Sequence, residues 1–128
     1  MPDPLDLARA AVEVAEGDEA VEAFAEESRQ TEASALRGEI EGLTFAESRG
    51  VGVRLVSGGR SGYAWAADPS IDEVRDAVRR ARENAALGEP DEFNGLASSV
   101  AADPIPELFR ADTAAVSTDE KVAMALDV

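Results

Sequence analysis

Gly50-Val51-Gly52-Val53-Arg54-Leu55-Val56-Ser57-Gly58-Gly59-Arg60-Ser61-Gly62-Tyr63-Ala64-Trp65-Ala66 is the stretch that decides the fold. Val51, Val53 and Leu55 alternate with Gly52, Arg54 and Val56, the period of two that belongs to a strand. Ser57-Gly58-Gly59-Arg60 then breaks the alternation. Two adjacent glycines supply positive φ at both central positions of a type I′ turn, so the stretch reads as a hairpin. In the returning strand Tyr63 and Trp65 share one face. Gly62, Ala64 and Ala66 share the other, which is small enough for a helix to come close.

The period of two extends upstream. Val21, Ala23 and Ala25 alternate with Glu22, Phe24 and Glu26. Strand-like runs follow over Thr31–Arg37 and Ile40–Glu47, with Gly38-Glu39 as the turn between them and Ser48-Arg49-Gly50 as a break. Five short strands joined by short connections predict an antiparallel meander. Before them, Asp3 caps a helix with Pro4 at its first position. Leu5, Ala8, Val12 and Ala15 recur at three and four, and Gly17 serves as the stop. After the strands, Ser70 and Glu73 make a capping box. Ile71, Val74, Val78, Ala81 and Ala85 mark one face of a long helix that ends at Gly88-Glu89-Pro90. Residues 88–116 read as irregular. Ser117 and Glu120 form a second capping box, with Val122, Ala125 and Leu126 on one face. The pattern runs on to Val128 without a C-cap, the mark of an N-terminal piece cut in mid-helix. The fold expected is therefore α+β: a meander of about five strands, with helices at about 4–16 and 70–87 and the start of another at 117, all packed on one face. Residues 1–116 form the domain and 117–128 the start of a following helix.

Composition bounds the function. The chain has 128 residues, one ordinary domain. Of these, 25 are Ala and only 28 are Leu, Ile, Val or Phe, so the core is thin and relies on Ala-on-Val packing. Eleven of the twelve bases are Arg, a sign of a GC-rich source; the excess of acids suits a salt-adapted protein, but ordinary GC-biased drift with a solvated acidic surface accounts for it better. Net charge is −15, spread along the chain as −10 over residues 1–48 and −5 after them. Nucleic acid is excluded as a partner, because that affinity comes mostly from neutralising phosphates. An anionic membrane surface is excluded by the same sign. No apolar run is long enough to span a bilayer, and Met1-Pro2-Asp3-Pro4 has no signal-peptide character. The cytoplasm is the default location.

The chain contains no Cys and no His, so it has neither a disulfide framework nor the commonest zinc ligands and general base. Gly58-Gly59-Arg60-Ser61-Gly62 lacks P-loop spacing and a following Lys. Gly50-Val51-Gly52 has Leu55 where a dinucleotide fingerprint needs a third small residue, and no helix follows it. Glu26-Glu27 and Glu39/Glu41 lack a loop of alternating oxygen ligands, so they read as solvated strand faces rather than a cation site. No serine has a base at motif spacing. The sequence thus assigns no catalytic, cofactor-binding or metal residue.

Several strings, in order, resemble the N-terminal domain of the TldD/PmbA family. Gly50-Val51-Gly52-Val53-Arg54-Leu55-Val56 with Gly59-Arg60-Ser61-Gly62-Tyr63-Ala64 is similar to its "GVGVRV…DGR-GFAST" hairpin. Ala67-Asp68-Pro69-Ser70-Ile71-Asp72-Glu73-Val74 resembles the capped helix start that follows. Ala20–Glu32 is similar to the family's first strand, "AEVYVERS-ST", and Thr118–Ala125 to its "EEKIALA" helix. Glu89–Ala97 resembles the "EDPYAGL" segment of the PmbA (TldE) branch. The resemblance implies a family of zinc metallopeptidases, once called modulators of DNA gyrase, whose HExxxH helix and Cys lie in the next domain. Zinc is therefore expected in a parent's C-terminal domain if the parent is the catalytic branch, and nowhere in this chain. The implied role is a non-catalytic N-terminal domain that helps enclose the substrate site and pairs subunits. Its implied partners are its own C-terminal domain, a TldD/PmbA-type subunit and the parent's peptide substrate. The alternative is a free-standing binding or structural module. A downstream HExxxH supports the first, and a stop codon after Val128 supports the second.

Overall fold

The computed structural model describes residues 1–98 and 102–128. Its elements are α1 (Pro4–Val12), β1 (Ala20–Leu36), β2 (Glu39–Ser57), β3 (Arg60–Ala67), α2 (Ile71–Leu87), α3 (Ala111–Ala114) and α4 (Thr118–Leu126). The fold is α+β, with one antiparallel sheet in the order β1-β2-β3. The sheet has three strands, not five. The expected runs at 21–26 and 31–37 belong to one strand, β1, and Ser48-Arg49-Gly50 does not break β2, because cross-strand pairing carries the backbone through it. Gly50 pairs with Ala67, and Arg49 O accepts from Asp68 N at 2.8 Å. The first turn also lies one residue earlier than expected, with Arg37 and Gly38 at φ 54° and 81°.

The chain divides into two compact units, Met1–Ser28 with Ser48–Ser98, and Arg29–Glu47 with Ser99–Val128. In the first, β2 and β3 pair from Gly50↔Ala67 to Ser57↔Arg60, and Gly58 and Gly59 take φ 57° and 72° in the expected tight turn. Val51, Val53 and Leu55 face the helices and are 0–3% exposed. Leu7 and Ala11 of α1 join them, as do Val74, Ala77, Val78, Ala81 and Ala85 of α2. Gly62 lets α2 approach: a Cβ there would lie 2.9 Å from Ala85 Cα and nearer still to Ala81 O and Ala85 N.

Capping follows the sequence. Asp3 Oδ1 accepts from Leu5 N at 2.8 Å. Ser70 and Glu73 close their capping box. These bonds from the Ser70 backbone and hydroxyl hold the Glu73 carboxyl below the usual range. Helix α1 stops at Val12 rather than near residue 16. The segment after it turns instead toward α2, where Arg82 Nη2 donates to Val14 O at 3.3 Å and Arg82 Nε donates to Glu19 Oε1 at 2.5 Å. The Glu19 side chain is only 9% exposed. Its bond from Arg82 outweighs burial and holds its carboxyl below the usual range.

In the second unit, β1 and β2 continue as a ribbon, and Arg29 Nε lies 3.1 Å from Glu47 Oε1. The stretch expected to be irregular holds the one-turn α3, while 99–101 of that stretch lie outside the described residues. Ser117 and Glu120 close the second capping box of α4. No described residue of 29–47 or 102–128 is buried.

Candidate functional site

The alternation that buries Val51, Val53 and Leu55 turns their neighbours to the opposite face of the sheet. On that face lie Glu22 and Phe24 of β1, Gly52 and Arg54 of β2, and Tyr63 and Trp65 of β3. They line an open hollow of about 640 Å³. Phe24 and Trp65 are each 70% exposed and Tyr63 is 61% exposed. Gly52 stands opposite Trp65, and Arg54 opposite Tyr63. Arg54 Nε lies 3.1 Å from Glu22 Oε1, and its Nη2 donates to Gly95 O at 2.7 Å. An adjoining hollow of about 300 Å³ shares Phe24, Gly52 and Trp65 and adds Glu26 and Arg49. The Arg49 guanidinium donates to Pro2 O.

The loop after α2 clasps the hairpin tip. Gly59 O accepts from Asp91 N at 2.9 Å and from Asn94 Nδ2 at 2.8 Å. Arg60 Nη1 donates to Gly88 O at 2.7 Å and Ala86 O at 3.3 Å, supplying a cation to a helix end that has no basic residue in its last turn. Gly58–Gly62 is therefore hairpin and helix contact, not a phosphate loop. Gly50-Val51-Gly52 lies within β2. Glu26-Glu27 and Glu39/Glu41 are exposed on strands.

In the second unit, a hollow of about 770 Å³ is lined by Arg29, Phe45, Glu47, Phe109, Arg110 and Lys121, among others. Arg110 is paired with Asp112 at 2.8 Å, and Lys121 Nζ lies 3.4 Å from Thr31 Oγ1. Among the described residues no three acidic side chains are grouped to hold a metal ion. With no His and no Cys, the donor set does not fit zinc.

The sequence placed Tyr63 and Trp65 on one face but did not bring Phe24 or Gly52 to them. One signal was available: Phe24 sits on the polar side of its strand, between Glu22 and Glu26.

Known proteins give the geometry its context. The profile described as PmbA/TldA metallopeptidase domain 1 matches residues 21–85. The crystal structure of TldE from Thermococcus kodakarensis is similar to this chain at 26% identity and a TM-score of 0.61. The likeness covers 80% of this chain and 23% of that one, so this chain spans under a quarter of its solved relative. No curated protein matches it. With half of its residues under one family profile and its fold shared with a TldE, the chain belongs to the PmbA/TldD metallopeptidase family, as a domain of the first-domain type.

Proposed function

We propose that the chain works as the non-catalytic first domain of a TldD/PmbA-type protein, helping to enclose the substrate site and to pair subunits. In this reading residues 1–116 are the domain and 117–128 lead into the next one. The parent is either a zinc metallopeptidase, with its metal in a later domain, or the non-catalytic partner of one, acting on peptides in the cytoplasm. The observation that carries the reading is the family match over 21–85, joined to a solved relative more than four times as long as the part matched. Surface chemistry supports it. All six aromatic residues are 61–87% exposed, a large apolar area for a chain that works alone.

The test is co-expression of the chain with the remaining domains of a TldE-type protein and with a TldD-type subunit. Size-exclusion chromatography with light scattering is expected to show a complex, and peptide hydrolysis is expected only in fractions that hold a catalytic subunit. A chain that elutes alone as a monomer, or that cleaves peptides by itself beyond a mock purification, would overturn the reading.

A further inference from the structure

The sheet face opposite the helices carries two adjoining hollows that share Phe24, Gly52 and Trp65. On the first rung Arg54 stands opposite Tyr63, with its Nε 3.1 Å from Glu22 Oε1. Ring, cation and carboxylate are all supplied by the chain. On the next rung Gly52 stands opposite Trp65, and Phe24 and Glu26 line the same hollow. Rings and a carboxylate line that hollow, glycine stands opposite Trp65, and the Arg49 guanidinium that also lines it is turned to Pro2 O. Among the described residues the Glu26 carboxylate has no hydrogen bond or ion pair.

The fold does not ask for glycine at 52. Its φ is not in the left-handed region, and an added Cβ would have nothing within 4 Å. Gly62, ten residues on, is the contrast, because helix backbone fills the space its side chain would take. A glycine inside a strand loses stability and packing, and it commonly marks a place where a ligand or another chain comes close.

We propose that the notch above Gly52 receives a basic side chain, arginine above all, presented by a partner peptide segment. The guanidinium lies between the Phe24 and Trp65 rings and bonds to Glu26. Trp is the best ring for a cation, and the flat guanidinium stacks where an ammonium does not. A net charge of −15 draws basic segments toward the molecule. The inference concerns this face alone and stands whether or not the chain belongs to a peptidase.

Trp65 is the only tryptophan, so its emission and its indole N–H resonance report directly on the notch. The 128-residue chain is titrated with acetyl-Leu-Arg-Leu-amide and with its citrulline counterpart, which keeps the shape and loses the charge. A saturable Trp65 response to the arginine peptide is expected, with the citrulline peptide about tenfold weaker. Gly52→Val fills the notch without touching ring or carboxylate, and valine suits a strand. With an unchanged far-UV circular dichroism spectrum, it is expected to lose the response. Glu26→Gln is expected to weaken binding several-fold and to flatten its salt dependence. Equal affinity for the two peptides overturns the proposal. So does a folded Gly52→Val that still responds, a Glu26→Gln with undiminished affinity, or no saturable response up to about 10 mM peptide.

Discussion

The stretches of β1 and β2 that carry the core and the stretches of the same strands over residues 29–47 share a backbone conformation but not a surroundings. In the first unit, small and aliphatic side chains meet two helices, and all twelve buried apolar residues of the described chain are found there. In the second, Leu36, Leu43 and Phe45 are 51–62% exposed and no described residue is buried. Strand pairing therefore needs no core beneath it, whereas folding stability does. The core is made of Leu, Val and Ala alone, and the large aromatic side chains stay outside it.

That contrast can be broken most forcefully at Gly62. Gly62→Leu drives a side chain into the α2 backbone at Ala81 and Ala85. It is expected to cost about 3 kcal/mol or more, enough to unfold a thin core, as read by urea denaturation. A cost below 1 kcal/mol, on the order of a surface change, would mean that α2 does not rest on β3. Gly59→Val is the next largest. It combines an unfavourable φ with a Cβ 2.8 Å from Asp91 O, and about 2 kcal/mol of lost stability is expected. Glu19→Gln sharpens the comparison through pH. The folded carboxyl is held below its unfolded value by Arg82, so its contribution is present above the unfolded value and fades as pH falls through the folded one. The variant is expected to lose about 1 kcal/mol at pH 7 and to show a flatter melting temperature between about pH 5 and pH 3 than the parent. Parallel pH profiles would sink that assignment. Smallest of all, Met124→Ser, at a position 60% exposed on α4, is expected to change stability by less than about 0.5 kcal/mol. A larger loss by thermal melting would show that the second unit carries more of the fold than its burial indicates.

Much of the fold was legible because its signals are local. The Gly58-Gly59 turn, the Asp3 cap and both capping boxes depend on residues within four positions of one another, and each forms as its spacing requires. The small face at Gly62 was legible too, since only a missing side chain permits that approach. What was not legible depends on pairing. Ser48-Arg49-Gly50 resembles a break, yet such residues continue a strand when a neighbour takes up its hydrogen bonds. The Gly17 stop failed for a related reason. Glu19 and Arg82 lie 63 residues apart in sequence, and their contact draws the segment after α1 toward α2. Of the aromatic face, local reading placed Tyr63 with Trp65 but missed Phe24, which only the order β1-β2-β3 brings to their side of the sheet.

The outer edge of β3 carries a last consequence. Asn84 Nδ2 donates to Tyr63 O at 2.8 Å, and Arg80 Nη2 donates to Trp65 O at 3.1 Å. Both carbonyls belong to an edge strand and would otherwise invite another strand to pair. Helix α2 thus acts as a guard rail as well as a core element. The sheet stops at three strands, and two of the carbonyls that a fourth strand would need along β3 are already taken beside the exposed rings of Tyr63 and Trp65.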